Sequence, residues 1–256
     1  MRYYKGYVAL SDTCDVPLLL HIRNARAIGF DQLEELIALD QLASLMKSLR
    51  WRVTRLEKAG VIERAEGHRY LGKPIYEITK SGLAFLESRG HQLLSLPSTA
   101  EQILHPTQVP HALELVSIRI ALAKSGVLRS WRSELEITSR NLVVDGAVTK
   151  DYDALAEIDV EGSIRTVAIE YERSPKASAR YRTIREILDK DETTDAVLYL
   201  TPNDDILYLL AVEMRLSRKR IGFALSESFR CSLLETRILM NTENSEIVPF
   251  RDLLLA

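Results

Sequence analysis

Three acidic residues and a lysine lie close together in the second half of the chain. Asp153 opens one apolar run, Tyr152–Val160, Glu170 and Glu172 sit in the next, Arg165–Arg173, and Lys176 follows just beyond it. Both runs have the composition of strands, the second strictly alternating, and Gly162 marks a tight turn between them. Adjacent antiparallel strands bring Asp153 toward Glu170 and Glu172, because residues two apart on a strand share a face. Clustered carboxylate oxygens at ~2 Å are what Mg²⁺ requires. One or two such ions lower the pKa of water and stabilise a leaving oxygen in phosphodiester cleavage. Asp153 and Glu170 are the expected metal ligands, with Glu114 projecting from an earlier helix as a third. Glu172 and Lys176 complete the catalytic candidates. Exposed acids on a sheet face are also common without any such role. The arginines of Ser178–Asp189 (Arg180, Arg182, Arg185) fit either of two jobs beside these acids, binding phosphate or neutralising them.

The elements that position these residues follow from the pattern around them. His111–Ala123 reads as a helix, Trp131–Thr138 as a strand, and then come the two acidic strands. The charged helix Ser178–Asp189 is followed by the almost wholly apolar Thr194–Leu200, the mark of a strand buried on both faces. Asp204–Arg218 reads as a helix and Ile221–Leu225 as a closing strand. The order αβββαβαβ predicts a mixed sheet flanked by helices.

The first half carries a different signal. In Leu45–Arg64, Leu45, Leu49, Val53 and Leu56 recur at helical spacing, while Lys47, Arg50, Trp51, Arg52 and Arg55 occupy the other face. Gly60 ends that helix, and Val61-Ile62 starts a hairpin. Ahead of it, residues 16–28 form an amphipathic helix ended by Gly29. A second helix begins at Asp31, where Asp31 and Glu34 make a capping box, and the turn into the basic helix lies around Asp40 and Gln41. Behind it, Val61–Ala65 and Ile75–Ile78 flank a basic loop, and Thr79-Lys80-Ser81-Gly82 starts a fourth helix.

The chain of 256 residues is long enough for two domains, and its net charge of −2 argues against a wholly basic nucleic-acid coat. That average hides an asymmetry. Residues 1–100 hold 14 basic and 11 acidic side chains, the rest 20 and 25; residues 44–73 alone hold 8 and 3. Positive charge collects where the basic helix lies, as a local phosphate-binding surface requires. No apolar run approaches the ~20 residues that span a bilayer. The N-terminus has no signal-peptide pattern, and Cys14 and Cys231 suggest neither a disulfide framework nor a zinc site, so a cytoplasmic protein is expected. No Walker loop, GxGxxG or Ser-His-Asp pattern appears, and the five histidines do not form a ligand-spaced cluster.

Three helices, a basic hairpin and a closing helix resemble the winged helix-turn-helix family. The echo is Arg52, Arg55-Leu56-Glu57-Lys58-Ala59-Gly60-Val61-Ile62-Glu63-Arg64 and Tyr76-Glu77-Ile78-Thr79-Lys80-Ser81-Gly82. The resemblance implies that the third helix enters the major groove with Lys47, Ser48, Arg50, Trp51, Arg52 and Arg55 as the contact pool. Hairpin residues His68, Arg69 and Lys73 would reach the neighbouring backbone or minor groove. Trp51 has a second reading, as a ring supporting the core.

The order αβββαβ, with an acid in the second strand and Glu-x-Glu in the third, resembles the PD-(D/E)xK nuclease superfamily. Position by position, Asp153 matches the metal-binding aspartate, with Tyr152 where proline is usual, and Glu170 matches the second acid. Glu172 falls where the signature lysine belongs, and Lys176 stands nearby to supply that charge. The two halves together, through His111-Ala-Leu-Glu-Leu-Val, Tyr152-Asp-Ala and Ile169-Glu-Tyr-Glu-Arg-Ser, resemble the replication-relaxation family of mobile-element and plasmid proteins.

The expected fold is therefore α+β: a winged helix-turn-helix over 13–90, a linker over 91–110, a mixed α/β domain of PD-(D/E)xK nuclease-like type over 111–230, and a C-terminal extension over 231–256. The expected function is sequence-specific binding of double-stranded DNA by a homodimer, without a cofactor, in regulating transcription or plasmid replication and mobilisation. In this reading the second domain is a degenerate nuclease. The alternative is a Mg²⁺-dependent DNA endonuclease targeted by its winged helix. A third reading, a regulator sensing a small ligand, has no pocket signature behind it.

Overall fold

A computed structural model describes residues 9–40, 48–100, 104–144, 148–242 and 246–255. The fold is mixed α and β, in two compact units, Met1–Val116 and Ser117–Ala256. Lys47 and Gln41 lie outside the described residues.

The first unit begins with helix α1 (Asp15–Ala25), whose Leu18, Leu19 and Ile22 are fully buried. Gly29 does not end this helix. Arg26 turns the chain with φ +65, and strand β1 (Ala27–Gly29) follows. Helix α2 (Phe30–Leu39) starts one residue earlier than the Asp31 box predicts, because the Gly29 amide donates to the Gln32 side chain at 3.0 Å. Helix α3 (Leu49–Lys58) buries Leu49, Val53 and Leu56, the stripe seen in the sequence. Strand β2 (Ile62–Tyr70) and strand β3 (Lys73–Ile78) are longer than the pattern suggests and meet at a tight Leu71-Gly72 turn, both residues at positive φ. Their register shifts between Arg64 and Arg69. The three strands form an antiparallel sheet in the order β1-β3-β2.

Helix α4 (Lys80–Ser88) starts at Thr79, whose hydroxyl accepts from the Gly82 amide at 3.2 Å and donates to the Gly60 carbonyl at 2.6 Å. Past α4 the proline-bearing stretch is packed at several points. Leu96 is buried, Ser98 donates to the Glu87 carboxylate, and Leu104 clusters with Val109, Ala112 and Leu113 against Ala27, Ala65 and Ile75. Val109, Ala112 and Leu113 belong to the start of helix α5 (Val109–Lys124), within which the division between the units falls.

The second unit is built on a seven-stranded mixed sheet. Strand β4 (Leu128–Ser133) ends where the sequence predicts continued strand, because Ser133 starts helix α6 (Glu134–Asn141). The Ser133 amide and hydroxyl both donate to Glu136 Oε2, at 2.9 and 2.8 Å, and this local cap overrides the alternation of WRSELEIT. Strands β5 (Ala154–Val160) and β6 (Ser163–Tyr171) pair antiparallel. Helix α7 (Ser178–Leu188) leads to strand β7 (Ala196–Thr201), buried at all six positions, and helix α8 (Asp204–Met214) to strand β8 (Ile221–Leu225). Strands β6, β7 and β8 run parallel.

The segment after 230 is more than an extension. Helix α9 (Ser226–Ser232) is followed by strands β9 (Arg237–Met240) and β10 (Ile247–Pro249), which complete the sheet, and by helix α10 (Phe250–Leu255). Gly222 has no Cβ because Ile238 and Leu253 close over it; a Cβ would lie 2.6 Å from one and 3.0 Å from the other. On one face of the sheet Tyr152, Leu155, Ala168, Val197, Tyr199 and Phe223 pack with Tyr181, Ile184 and Leu188 of α7 and with Ile206, Leu207 and Leu210 of α8. Each of the valine, leucine, isoleucine and phenylalanine side chains among them contributes about 1.5–3 kcal/mol by leaving water. Among the described residues no helix is long and apolar enough to cross a membrane.

Candidate functional site

Helix α3 divides its polar residues into two sets. Arg50, Trp51, Thr54 and Lys58 point outward, and Trp51 is 52% exposed, which places its ring outside the core. Arg50 also stands 5.3 Å over the Phe30 ring, and Arg50, Trp51 and Thr54 line a shallow groove with Phe30 and Glu34. Arg52 and Arg55 are committed elsewhere. Arg52 Nη1 donates to Asp15 at 3.3 Å, Arg55 binds the other oxygen of the same carboxylate, and Arg55 Nη1 reaches the Ala9 carbonyl at 2.9 Å. Asp15 is fully buried, so these two arginines fasten α3 onto α1. Their guanidinium groups also lie 5.9 and 5.1 Å from the Trp51 ring. Ser48 precedes the helix and accepts from Arg52 Nε at 3.0 Å.

On the hairpin, His68 and Arg69 lie in β2 rather than in a loop, His68 half-buried and Arg69 exposed. Lys73 is paired with Asp31 at 2.5 Å. The register shift opens a depression lined by Arg64, His68, Arg69 and Gly67. Arg64, which the sequence reading did not select, is largely exposed and pairs with Glu57 of α3 at 2.8 Å. Its i+7 relation to Glu57 crosses the Gly60 turn, which helical spacing does not reveal.

In the second unit the strand register explains why the acids meet. Ala154 stands opposite Ile169, so one residue on, Asp153 faces Glu170; Glu170 in turn pairs with Tyr199 of β7. Asp153, Glu170 and Tyr199 thus form a row across three strands, at the edge where the parallel strands end. Such edges are where α/β sheets place ligands. Asp153 Oδ2 accepts from the Tyr171 amide at 2.7 Å. Glu172 is buried and Lys176 is bonded to it.

A second lysine, absent from the sequence reading, completes the group: Lys150 is bonded to Glu170 and lies 4.9 Å over the Tyr152 ring. Lys150 stands three residues before Asp153 in a loop with no periodic pattern, so only the tertiary fold shows its place. Burial pushes the Glu170 carboxyl up to about 7, with Asp153 adding to the rise and Lys150 and Lys176 opposing it. Glu170 therefore changes charge near neutrality. Burial also raises the Tyr199 phenol, whose hydroxyl is enclosed without a hydrogen-bond partner.

Beside this row lies a structural network. Tyr152 donates to Asp191 at 2.7 Å, and Thr149, Thr193 and Thr194 donate to the same carboxylate. Despite its burial these bonds hold Asp191 well below the usual carboxylate range.

A magnesium ion would find the donor set already engaged. Glu170 and Glu172 each accept a lysine ammonium and Asp153 holds a backbone amide; among the described residues no three acidic, histidine or cysteine side chains are grouped to hold an ion. Glu114 belongs to the first unit, on α5. No protein-family model, curated protein or solved structure matches the chain.

Proposed function

We propose that the chain is a sequence-specific double-stranded DNA-binding protein of winged helix-turn-helix type, acting in the cytoplasm as a regulator of transcription or of plasmid replication and mobilisation. The observation that carries this reading is the split of α3. Its apolar stripe and the Asp15 clasp fix the helix, and Arg50, Trp51 and Thr54 are left on the outside beside a basic hairpin. A fixed helix with cationic, aromatic and hydroxyl side chains facing solvent suits a major groove, with the β2–β3 hairpin as the wing. Binding in this mode needs no cofactor. The test is selection of a preferred duplex followed by fluorescence anisotropy, with Arg50→Ala/Trp51→Ala as the comparison. Equal affinity of the two proteins for the selected duplex rejects the reading.

For the second unit we propose a sheet of PD-(D/E)xK nuclease-like type whose acids are neutralised by lysines. The competing reading is a Mg²⁺-dependent endonuclease. The Asp153–Glu170 row beside Lys150 and Lys176 favours it, since acids and a lysine are the parts such an enzyme uses. Plasmid incubated with the protein and Mg²⁺ or Mn²⁺ decides between them: nicking that Asp153→Ala abolishes establishes the endonuclease.

A further inference from the structure

The outer face of α8 carries Tyr208 and Val212 turned to solvent, and Leu216 stands two residues past the end of the helix. Tyr208, Val212 and Leu216 are 61%, 74% and 70% exposed. Tyr208 and Val212, four apart, share one face of the helix, and Leu216, four further on, extends that line into the turn that follows. Ile206, Leu207, Leu210 and Met214 supply the opposite, buried face. Single exposed apolar residues are ordinary, but an aligned set marks a contact surface.

The charges at the two ends of the stripe have opposite signs. Asp204 and Asp205 are exposed at its start and Arg215 is exposed at its end. Among the described residues, no ion pair engages any of the three.

We propose that this stripe is the interface of a homodimer in which two copies of α8 pack antiparallel about a two-fold axis. A two-fold interface sets residue i against j and j against i. Centred between Tyr208 and Val212, the antiparallel arrangement sets Tyr208 of each copy against Val212 of the other. It also lays Asp204 and Asp205 alongside Arg215 and Leu216. Both ends of the stripe are then complementary. A parallel arrangement stacks acid on acid and arginine on arginine. A partner of uniform charge satisfies one end and is repelled at the other. The bipolar pattern selects a second, reversed copy of the same helix. This inference stands apart from the DNA reading, because every residue in it belongs to the second unit.

The test is sedimentation velocity of the full chain over roughly 1–100 μM, where modest interfaces dissociate. The wild type dimerises in that range. Val212→Arg, which leaves the melting temperature unchanged, raises the dissociation constant at least ~10-fold by setting a bulky charge against Tyr208 of the other copy. Asp204→Arg/Asp205→Arg and Arg215→Glu each weaken self-association to a similar degree. Mixing those two variants restores the dimer, since each end is then complementary again. A wild type monomeric throughout, a Val212→Arg protein that dimerises normally, or a mixture that fails to associate overturns the proposal.

Discussion

Asp15, wholly buried in the first turn of α1, is held by the guanidinium of Arg55 from α3, with Arg52 on its other oxygen. The two most conspicuous arginines of the basic helix are thereby part of the internal structure. Removing Asp15 leaves both guanidinium groups without their carboxylate, and removing Arg55 leaves the buried carboxylate with only Arg52 at 3.3 Å and the Ser11 amide at 2.7 Å, losses of up to about 3–5 kcal/mol. Arg55→Ala and Asp15→Ala should each lower the melting temperature of the first unit by roughly 10 °C or more. Differential scanning calorimetry checks this, and a change within ~2 °C contradicts the clasp.

Gly82 carries a second structural prediction. A Cβ there would lie 2.2 Å from the Val61 carbonyl oxygen and 2.7 Å from Ile78, and a backbone oxygen cannot move aside cheaply. Gly82→Ala should destabilise the first unit by about 1–3 kcal/mol, although alanine is the better helix former. Urea denaturation measures it. A neutral or stabilising effect shows that α4 is free to shift.

Glu170 makes stability depend on pH. Its carboxyl titrates near 7 in the folded chain because burial disfavours the charge, against an ordinary value of about 4.3 when unfolded. The folded state therefore holds the proton more tightly. The stabilisation is complete below the unfolded value and is lost as pH rises through about 7. Between pH 5 and pH 8 the wild type should lose more stability than Glu170→Gln, read as the shift in urea midpoint at the two pH values. Equal shifts contradict the assignment.

The local patterns were legible where one residue type settles the matter. Leu49, Val53 and Leu56 announced the buried side of α3, Thr79 and Gly82 the start of α4, and the apolar run 194–200 the central strand β7. The sheet face was legible in Asp153 and Glu170, because a tight turn at Gly162 fixes their register. Alternation misled at WRSELEIT, where the Ser133–Glu136 box was the better signal. What stayed hidden depends on contacts far apart in sequence. Asp15 meets Arg55 forty residues on, and Lys150 reaches Glu170 from a loop twenty residues before it. No spacing rule reports such pairs. They redirect Arg52 and Arg55 from contact candidates to fasteners, and they engage the acids expected to bind metal.

In the proposed DNA-binding mode the outer face of α3 reads the duplex. Arg50 and Trp51 are exposed and outside the core, so Arg50→Ala/Trp51→Ala should melt within ~0.5 kcal/mol of the wild type. The decisive measurement is the affinity of this folded variant for a selected duplex, followed across salt concentration. A loss of roughly 10- to 100-fold and a shallower salt slope are expected, as removal of a cationic groove contact requires. A folded variant that binds the duplex as tightly as the wild type, with the same slope, contradicts this mode.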